Sequence, residues 1–127
     1  MPYVPSSDQV NLPFVLIPDI VQDHGAGNWR HPIVGSDRCR AVLLHLRPGE
    51  APHPIHRHPR ADEVFVILEG TATFMIGDGP AFAAGPGTVA CAPAGVRHNI
   101  AAGNEPLLFL AIVAPNLNSA DEAIEDE

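Results

Sequence analysis

Along the chain, short runs rich in apolar residues, some alternating with polar ones at a period of two, lie between glycine and proline turns. Successive side chains of an extended strand point to opposite faces, so this period marks strands with one buried face. Residues 38–50 (RCRAVLLHLRPGE) read as a strand that stops at Pro48-Gly49. Alternation divides it into Arg38, Arg40, Val42, Leu44 and Leu46 on one face and Cys39, Ala41, Leu43, His45 and Arg47 on the other, without saying which looks inward. Runs 63–70 (EVFVILEG), 71–77 (TATFMIG), 80–84 (PAFAA), 88–92 (TVACA), 97–102 (RHNIAA) and 106–113 (PLLFLAIV) continue the series. Glu69-Gly70 and Gly77-Asp78-Gly79 punctuate it as hairpin turns. LPFVLI (12–17), bounded by Pro18, is expected as an edge strand, because proline cannot donate to a ladder. DHGAGNWRHPIVGSD (23–37) is expected to form a loop or short hairpin over a pocket or against a second subunit. Residues 1–11 read as a polar arm. No window before residue 117 carries a 3.6-residue period; only the tail has a helical signal, a capping box of Ser119 and Glu122. Eight or more short strands with glycine and proline turns predict an all-β sandwich or barrel, not a parallel α/β sheet.

Composition narrows the class. At 46% hydrophobic and 17% charged over 127 residues, the chain is expected to fold as one globular domain, 1–127, with a barrel core at about 38–114 and a tail at 115–127. Asp121, Glu122, Glu125, Asp126 and Glu127 account for most of the formal charge of −8. An acidic chain with no basic cluster argues against a nucleic-acid partner. All seven basic residues are arginines, which excludes lysine Schiff-base chemistry. No apolar run reaches membrane-spanning length and no secretory signal is evident, so no membrane partner and a cytoplasmic location are expected. Cys39 and Cys91 are too few for a disulfide framework, and Cys91 is expected to be a small buried hydrophobe.

The chemistry concentrates in Gly49–Gly70. His56 and His58 are one residue apart, which places both imidazoles on one face of an extended segment with Cα atoms roughly 6–7 Å apart. Glu63 opens the returning strand and can reach the same point. Pro93-Ala94-Gly95 supplies a second turn, and His98 follows it. If the two segments face each other, three imidazoles and one carboxylate converge. That donor set suits one divalent transition metal (Fe, Mn, Ni, Cu or Zn) with room for water or substrate.

The two segments resemble the two motifs of the cupin superfamily. The first, G(X)5HXH(X)3,4E(X)6G, stands here as Gly49, His56, His58, Glu63 and Gly70, with a leading gap of six residues in place of five. The second, G(X)5PXG(X)2H(X)3N, stands as Gly87, Pro93, Gly95 and His98, with Ala102 at the final asparagine position. The resemblance implies a double-stranded β-helix (jelly-roll) barrel with metal held inside one open end by His56, His58, Glu63 and His98. It also implies a homodimer, often with N-terminal strands crossing between subunits.

Parity with the ligands sends Phe65, Ile67, Ile100 and Ala102 inward. Phe65, Ile100 and Ala102 are candidate pocket residues and Ile67 a core residue. Arg40, and Arg38 with it, would meet an anionic substrate if their face looks in. His53 is expected on a solvent-exposed loop, with Arg57 and Arg97 pointing away from the ligands. Trp29 is expected at the mouth or, in preference, at a dimer interface. The functional expectation is a metal-dependent enzyme acting on a small organic substrate. It would be a dioxygenase, or an isomerase or lyase in which a loosely held Glu63 takes a proton. The rival is a non-catalytic small-ligand-binding or sensor barrel with a structural metal.

Overall fold

The alternating runs fold into two antiparallel sheets laid face to face. In a computed structural model, which describes residues 14–117 and 123–124, one helix and ten strands follow in the order α1 (Ile17–His24), β1 (Trp29–Gly35), β2 (Arg40–Leu46), β3 (His56–Arg57), β4 (Asp62–Glu69), β5 (Ala72–Ile76), β6 (Phe82–Ala84), β7 (Val89–Ala92), β8 (His98–Ala102), β9 (Leu107–Ala114) and β10 (Ala123–Ile124). One sheet has the order β1-β2-β9-β4-β7 and the other β10-β3-β8-β5-β6. Strands that neighbour in space come from distant parts of the chain, as in a jelly roll.

Register stacks the interior in rows. Arg40 pairs with Val113, Val113 with Glu63, and Glu63 with Ala92. Two residues along each strand, the next row is Val42, Ala111, Phe65 and Ala90, followed by Leu44, Phe109 and Ile67. The facing sheet answers with His56, His98 and Ile76, then Ile100, Phe74 and Phe82, then Ala102, Ala72 and Ala84. Paired residues point to the same face, so Arg40, Glu63, His56 and His98 occupy one row, and hydrocarbon fills those beneath except at the edge, where Arg30 of β1 pairs with Leu44. Phe74, Phe109, Ile67 and Leu107 are all at most 1% exposed. The face of β2 that the sequence left open is settled: Arg40, Val42 and Leu44 look into the barrel.

Both faces of the first sheet are covered, which explains why β2 and β9 carry near-continuous apolar runs. Its outer face packs Ala41, Leu43 and Leu108 under Ile20 and Val21 of α1. This helix replaces the edge strand expected at 12–17. Phe14–Leu16 form no strand, and Leu12 and Pro13 lie outside the described residues. Pro18 and Asp19 sit in the first helical turn, where a missing N–H and a negative charge are both tolerated or favoured. Gly25, at φ 82°, closes the helix by donating its N–H to the Val21 carbonyl at 2.9 Å. Ile17, Ile20, Val21 and His24 do have helical spacing, but over only eight residues.

The segment 23–37, expected as a loop or short hairpin, takes the second form: residues 29–35 form β1, hairpinned onto β2. Three other expectations change. Arg38 lies in the turn before β2 and is exposed, so it does not share Arg40's inward position. Cys91 is exposed, not buried, because Ala90 and Ala92 take the inward positions of β7, an edge strand. Cys39 is exposed as well. A thiol reagent such as Ellman's is therefore expected to titrate two thiols per chain in the native state; one fast thiol, with the second released only by denaturant, would contradict this placement. In the tail, Ser119 and Glu122 lie outside the described residues, while Ala123–Ile124 form β10 against β3 instead of a helix.

Gly70 has a stricter role than turn punctuation. Its φ is 84°, and a Cβ there would land on the carbonyl oxygen of Pro106. Only glycine lets β4 turn into β5 at this closeness to the strand entering β9.

Candidate metal centre

Three strands and the residue that follows β3 deliver the donor atoms. His56 pairs directly with His98 across β3 and β8, so their rings project side by side with centroids 4.5 Å apart. His58 follows β3 by one residue and returns to the same face. Glu63 comes from the opposite sheet through β4. The turn that launches His98 is tied to the first half of the site: Gly95 donates its N–H to the His58 carbonyl at 2.8 Å, and Asp62 Oδ1 accepts from the Ala94 N–H at 2.8 Å.

The result is a buried cluster whose ligand atoms all lie within 4.8 Å of one another. Exposure is 5% for His56 and His58, 9% for Glu63 and 2% for His98. Nε2 of His58 is 3.1 Å from Glu63 Oε1, and Nε2 of His98 is 3.0 Å from the same oxygen. Burial alone would push the Glu63 carboxyl up, but hydrogen bonds from His58 and His98, and the charge of those rings, hold it down at about 2. Glu63 is thus a carboxylate held by two imidazoles.

Second contacts fix the ring orientations. Nδ1 of His56 lies 3.0 Å from the Pro54 carbonyl, and Nδ1 of His98 lies 3.0 Å from the Val96 carbonyl. Only an N–H satisfies a carbonyl, so Nδ1 carries the proton in both rings. Nε2 of His98 is then either a second N–H, which makes the ring cationic, or a lone pair aimed with Glu63 at a shared cation. Two metal bonds of about 2.1 Å at a right angle place their donor atoms about 3.0 Å apart, which matches the observed contacts. That spacing and the donor chemistry carry the fit; one ring nitrogen stays unsatisfied with or without an ion, because Nε2 of His58 is the atom turned to Glu63. Among the described residues, His58 Nδ1 is the buried side-chain nitrogen or oxygen with no hydrogen-bond partner. An unsatisfied buried group of this kind costs about 1–3 kcal/mol. The residues present fit a divalent metal.

The cluster forms part of the wall of a cavity of about 260 Å³. Phe65 and Ile100 line it as expected, and so does Arg40. Ala102 does not: it sits one row deeper, 5% exposed, paired with Ala72 in the core. Sequence reasoning missed Phe109, Ala111 and Val113, which reach the cavity because β9 lies between β2 and β4, an order that alternation cannot reveal. It also underrated the mouth. His53 is exposed, yet it lines the cavity and meets the His56 ring edge-on with centroids 5.1 Å apart. Arg30 of β1 joins it there. Arg57 is exposed, and Arg97 turns to Asp78 at 3.2 Å. Trp29 lies outside the barrel, stacked between His24 and His45 at 4.5 and 5.6 Å, and takes no part in the cavity.

A β-helix barrel with a buried three-histidine, one-carboxylate donor set inside it defines a class. A family profile described as Cupin domain matches residues 42–113, and the chain belongs to the cupin family. A curated relative, dimethylsulfoniopropionate lyase DddQ of Ruegeria pomeroyi, is 31% identical over 85 residues, covering 67% of this chain and 41% of the lyase. The chain therefore spans less than half the length of that relative. The crystal structure of the same lyase superposes with a TM-score of 0.66 at 25% identity, over 79% of this chain and 54% of that one. An uncharacterized conserved protein with a double-stranded β-helix domain from Klebsiella pneumoniae gives a TM-score of 0.76 at 23% identity, over 92% of this chain and 100% of that one, a likeness of fold. A cupin superfamily sugar phosphate isomerase from Silicibacter pomeroyi gives 0.59 at 25% identity, over 67% and 59%. Among the described residues no helix is long and apolar enough to cross a membrane.

Proposed function

We propose that this cupin is a metal-dependent enzyme of the lyase or isomerase kind, acting on a small organic substrate. The observation that carries the reading is the buried His56, His58, Glu63 and His98 set at the wall of a cavity of about 260 Å³. That volume lies below the ~300–1,000 Å³ of pockets for drug-sized ligands, so the substrate is small. The relatives that act as a lyase and as a sugar phosphate isomerase support this branch of chemistry over oxygen insertion.

His56, His58, Glu63 and His98 would hold one divalent transition ion, which supplies Lewis-acid polarisation of a substrate oxygen. The carbonyls of Pro54 and Val96 keep Nδ1 of His56 and His98 protonated, so that Nε2 of each stays turned to the centre. Glu63 stays ionised through neutral pH and serves as the anionic member of the set. Phe65, Ile100 and Phe109 exclude water from the inner side and give the carbon part of a substrate an apolar seat. Exposed Phe14 and Leu16 next to α1 support a homodimer as the working form.

Proton NMR tests the activity directly. Protein loaded with Mn(II), Fe(II) or Zn(II) is incubated with dimethylsulfoniopropionate and with a panel of sugar phosphates. Elimination or isomerisation that stops with chelator and returns with metal is the expected result. Substrate loss coupled to oxygen uptake would move the reading to a dioxygenase. Binding without turnover of any compound would replace it with a non-catalytic ligand-binding barrel.

A further inference from the structure

We infer that Arg40 anchors an anionic group of the ligand, so that the cavity selects a small organic anion bound between the guanidinium and the metal donor set. This rests on the metal reading of the site and names the class of molecule that the site takes. The row structure of the interior carries the inference. Arg40, Val113 and Glu63 are register partners across β2, β9 and β4, so all three side chains leave the same face of the sheet at the same height. Adjacent strands lie about 4.8 Å apart, which sets the Arg40 and Glu63 Cα atoms about 10 Å apart with only Val113 between them. Arg40 and Glu63 both line the cavity, as does Val113. A ligand lying over Val113 meets the donor set at one end and the guanidinium at the other.

Arg40 is also placed and not merely present. Its Nη1 donates to Asn116 Oδ1 at 3.2 Å, and Asn116 is 7% exposed. Asn116 Nδ2 in turn donates to the Ser36 carbonyl at 2.7 Å, in the turn that precedes β2. The carboxamide is thus pinned at both ends and orients a planar fork whose geometry matches a carboxylate or phosphate. Arg30 adds a second positive charge at the mouth of the same cavity. Beside these two guanidinium groups the lining holds one carboxylate, Glu63, which belongs to the donor set. The rows below, Val42 with Ala111 and Leu44 with Phe109, are apolar across β2 and β9, and the charged residue beside them is Arg30, the β1 partner of Leu44.

Isothermal titration with 3-hydroxypropionate and with its neutral counterpart 3-hydroxypropionamide tests the inference. Each is measured on chelator-treated and on metal-loaded protein, for the parent, Arg40→Met and Arg40→Gln. The parent is expected to bind the carboxylate at least tenfold more tightly than the amide. Either substitution should weaken carboxylate binding about tenfold and leave the amide within twofold. Metal content should stay near one per chain, and the parent's preference for the carboxylate should persist without metal. The second substitution covers failure of the first to fold, with circular dichroism checking both. The inference is overturned if the parent does not prefer the carboxylate, if it binds neither probe, or if the Arg40 variants hold the carboxylate as well as the parent does. Failure of the metal reading is a separate result: the metal assay on the parent then reads near zero while the chelator-treated titrations still report on Arg40.

Discussion

His98→Ala protein, saturated with Mn(II) and desalted, is expected to keep less than a tenth of an ion per chain, against about one for the parent. Four protein ligands share a site free energy that reaches about 10–16 kcal/mol in structural zinc sites, so one ligand is worth about 3 kcal/mol. Each 1.4 kcal/mol is a factor of about ten, and the affinity falls about a hundredfold. The loss is sharpened because Nδ1 of His98 is already committed to the Val96 carbonyl, so Nε2 is the nitrogen that its ring turns to the centre. His58→Ala should behave in the same way. His53→Ala, on an exposed ring at the mouth, should leave occupancy nearly unchanged. Elemental analysis by plasma mass spectrometry decides the matter, and His53→Ala matching His98→Ala would show that the four-residue donor set is drawn wrongly.

Gly70→Ala is expected to cost about 3 kcal/mol or more and to lower the melting temperature by about 10 °C or more. Two effects add. The backbone at φ 84° resists any side chain, and the new methyl collides with the Pro106 carbonyl oxygen, which is backbone and cannot swing aside. Gly49→Ala separates the two. Gly49 has a similar φ of 78°, but a Cβ there would meet nothing within 4 Å. It should lose only about 1 kcal/mol. Urea midpoints for the two variants measure the difference, and equal losses would mean that the contact with Pro106 contributes nothing.

The barrel strands and the donor set were legible because both rest on local spacing. Short apolar runs, alternating in part, mark β2, β4, β5, β7, β8 and β9, and the glycine turns separate them. The spacing of His56, His58, Glu63 and His98 announces convergence once two sheets face each other. What was not legible depended on the order of strands in space. Whether Arg40 or Ala41 looks inward is decided by β2 lying beside β9 with α1 behind it. Ala102 shares a face with Ile100, so parity places it correctly as an inward residue. It says nothing of depth, and the cavity ends one row short of it. Cys91 was read as buried from its apolar neighbours, but β7 is an edge strand whose outward positions have no covering layer. Helix α1 was lost for a different reason. Its two turns fall below the length at which a 3.6-residue period separates from chance, and the preceding FVL reads as strand.

The arrangement of the interior into rows has a consequence for how a guest would sit. Arg40, Glu63, His56 and His98 occupy the first row, and about 7 Å further in, two residues along each strand, the wall of β2, β9 and β4 is hydrocarbon, with Arg30 of β1 flanking it at the edge. The barrel interior therefore works as a fixed interface, with a wet side and an oily side separated by one residue pair. An amphiphilic molecule entering past His53 and Arg30 would be turned before it is recognised: its charged end stops at the first row, and only its carbon end can go deeper. Orientation would thus be selected by a gradient of polarity, and the donor set would meet every guest from the same side.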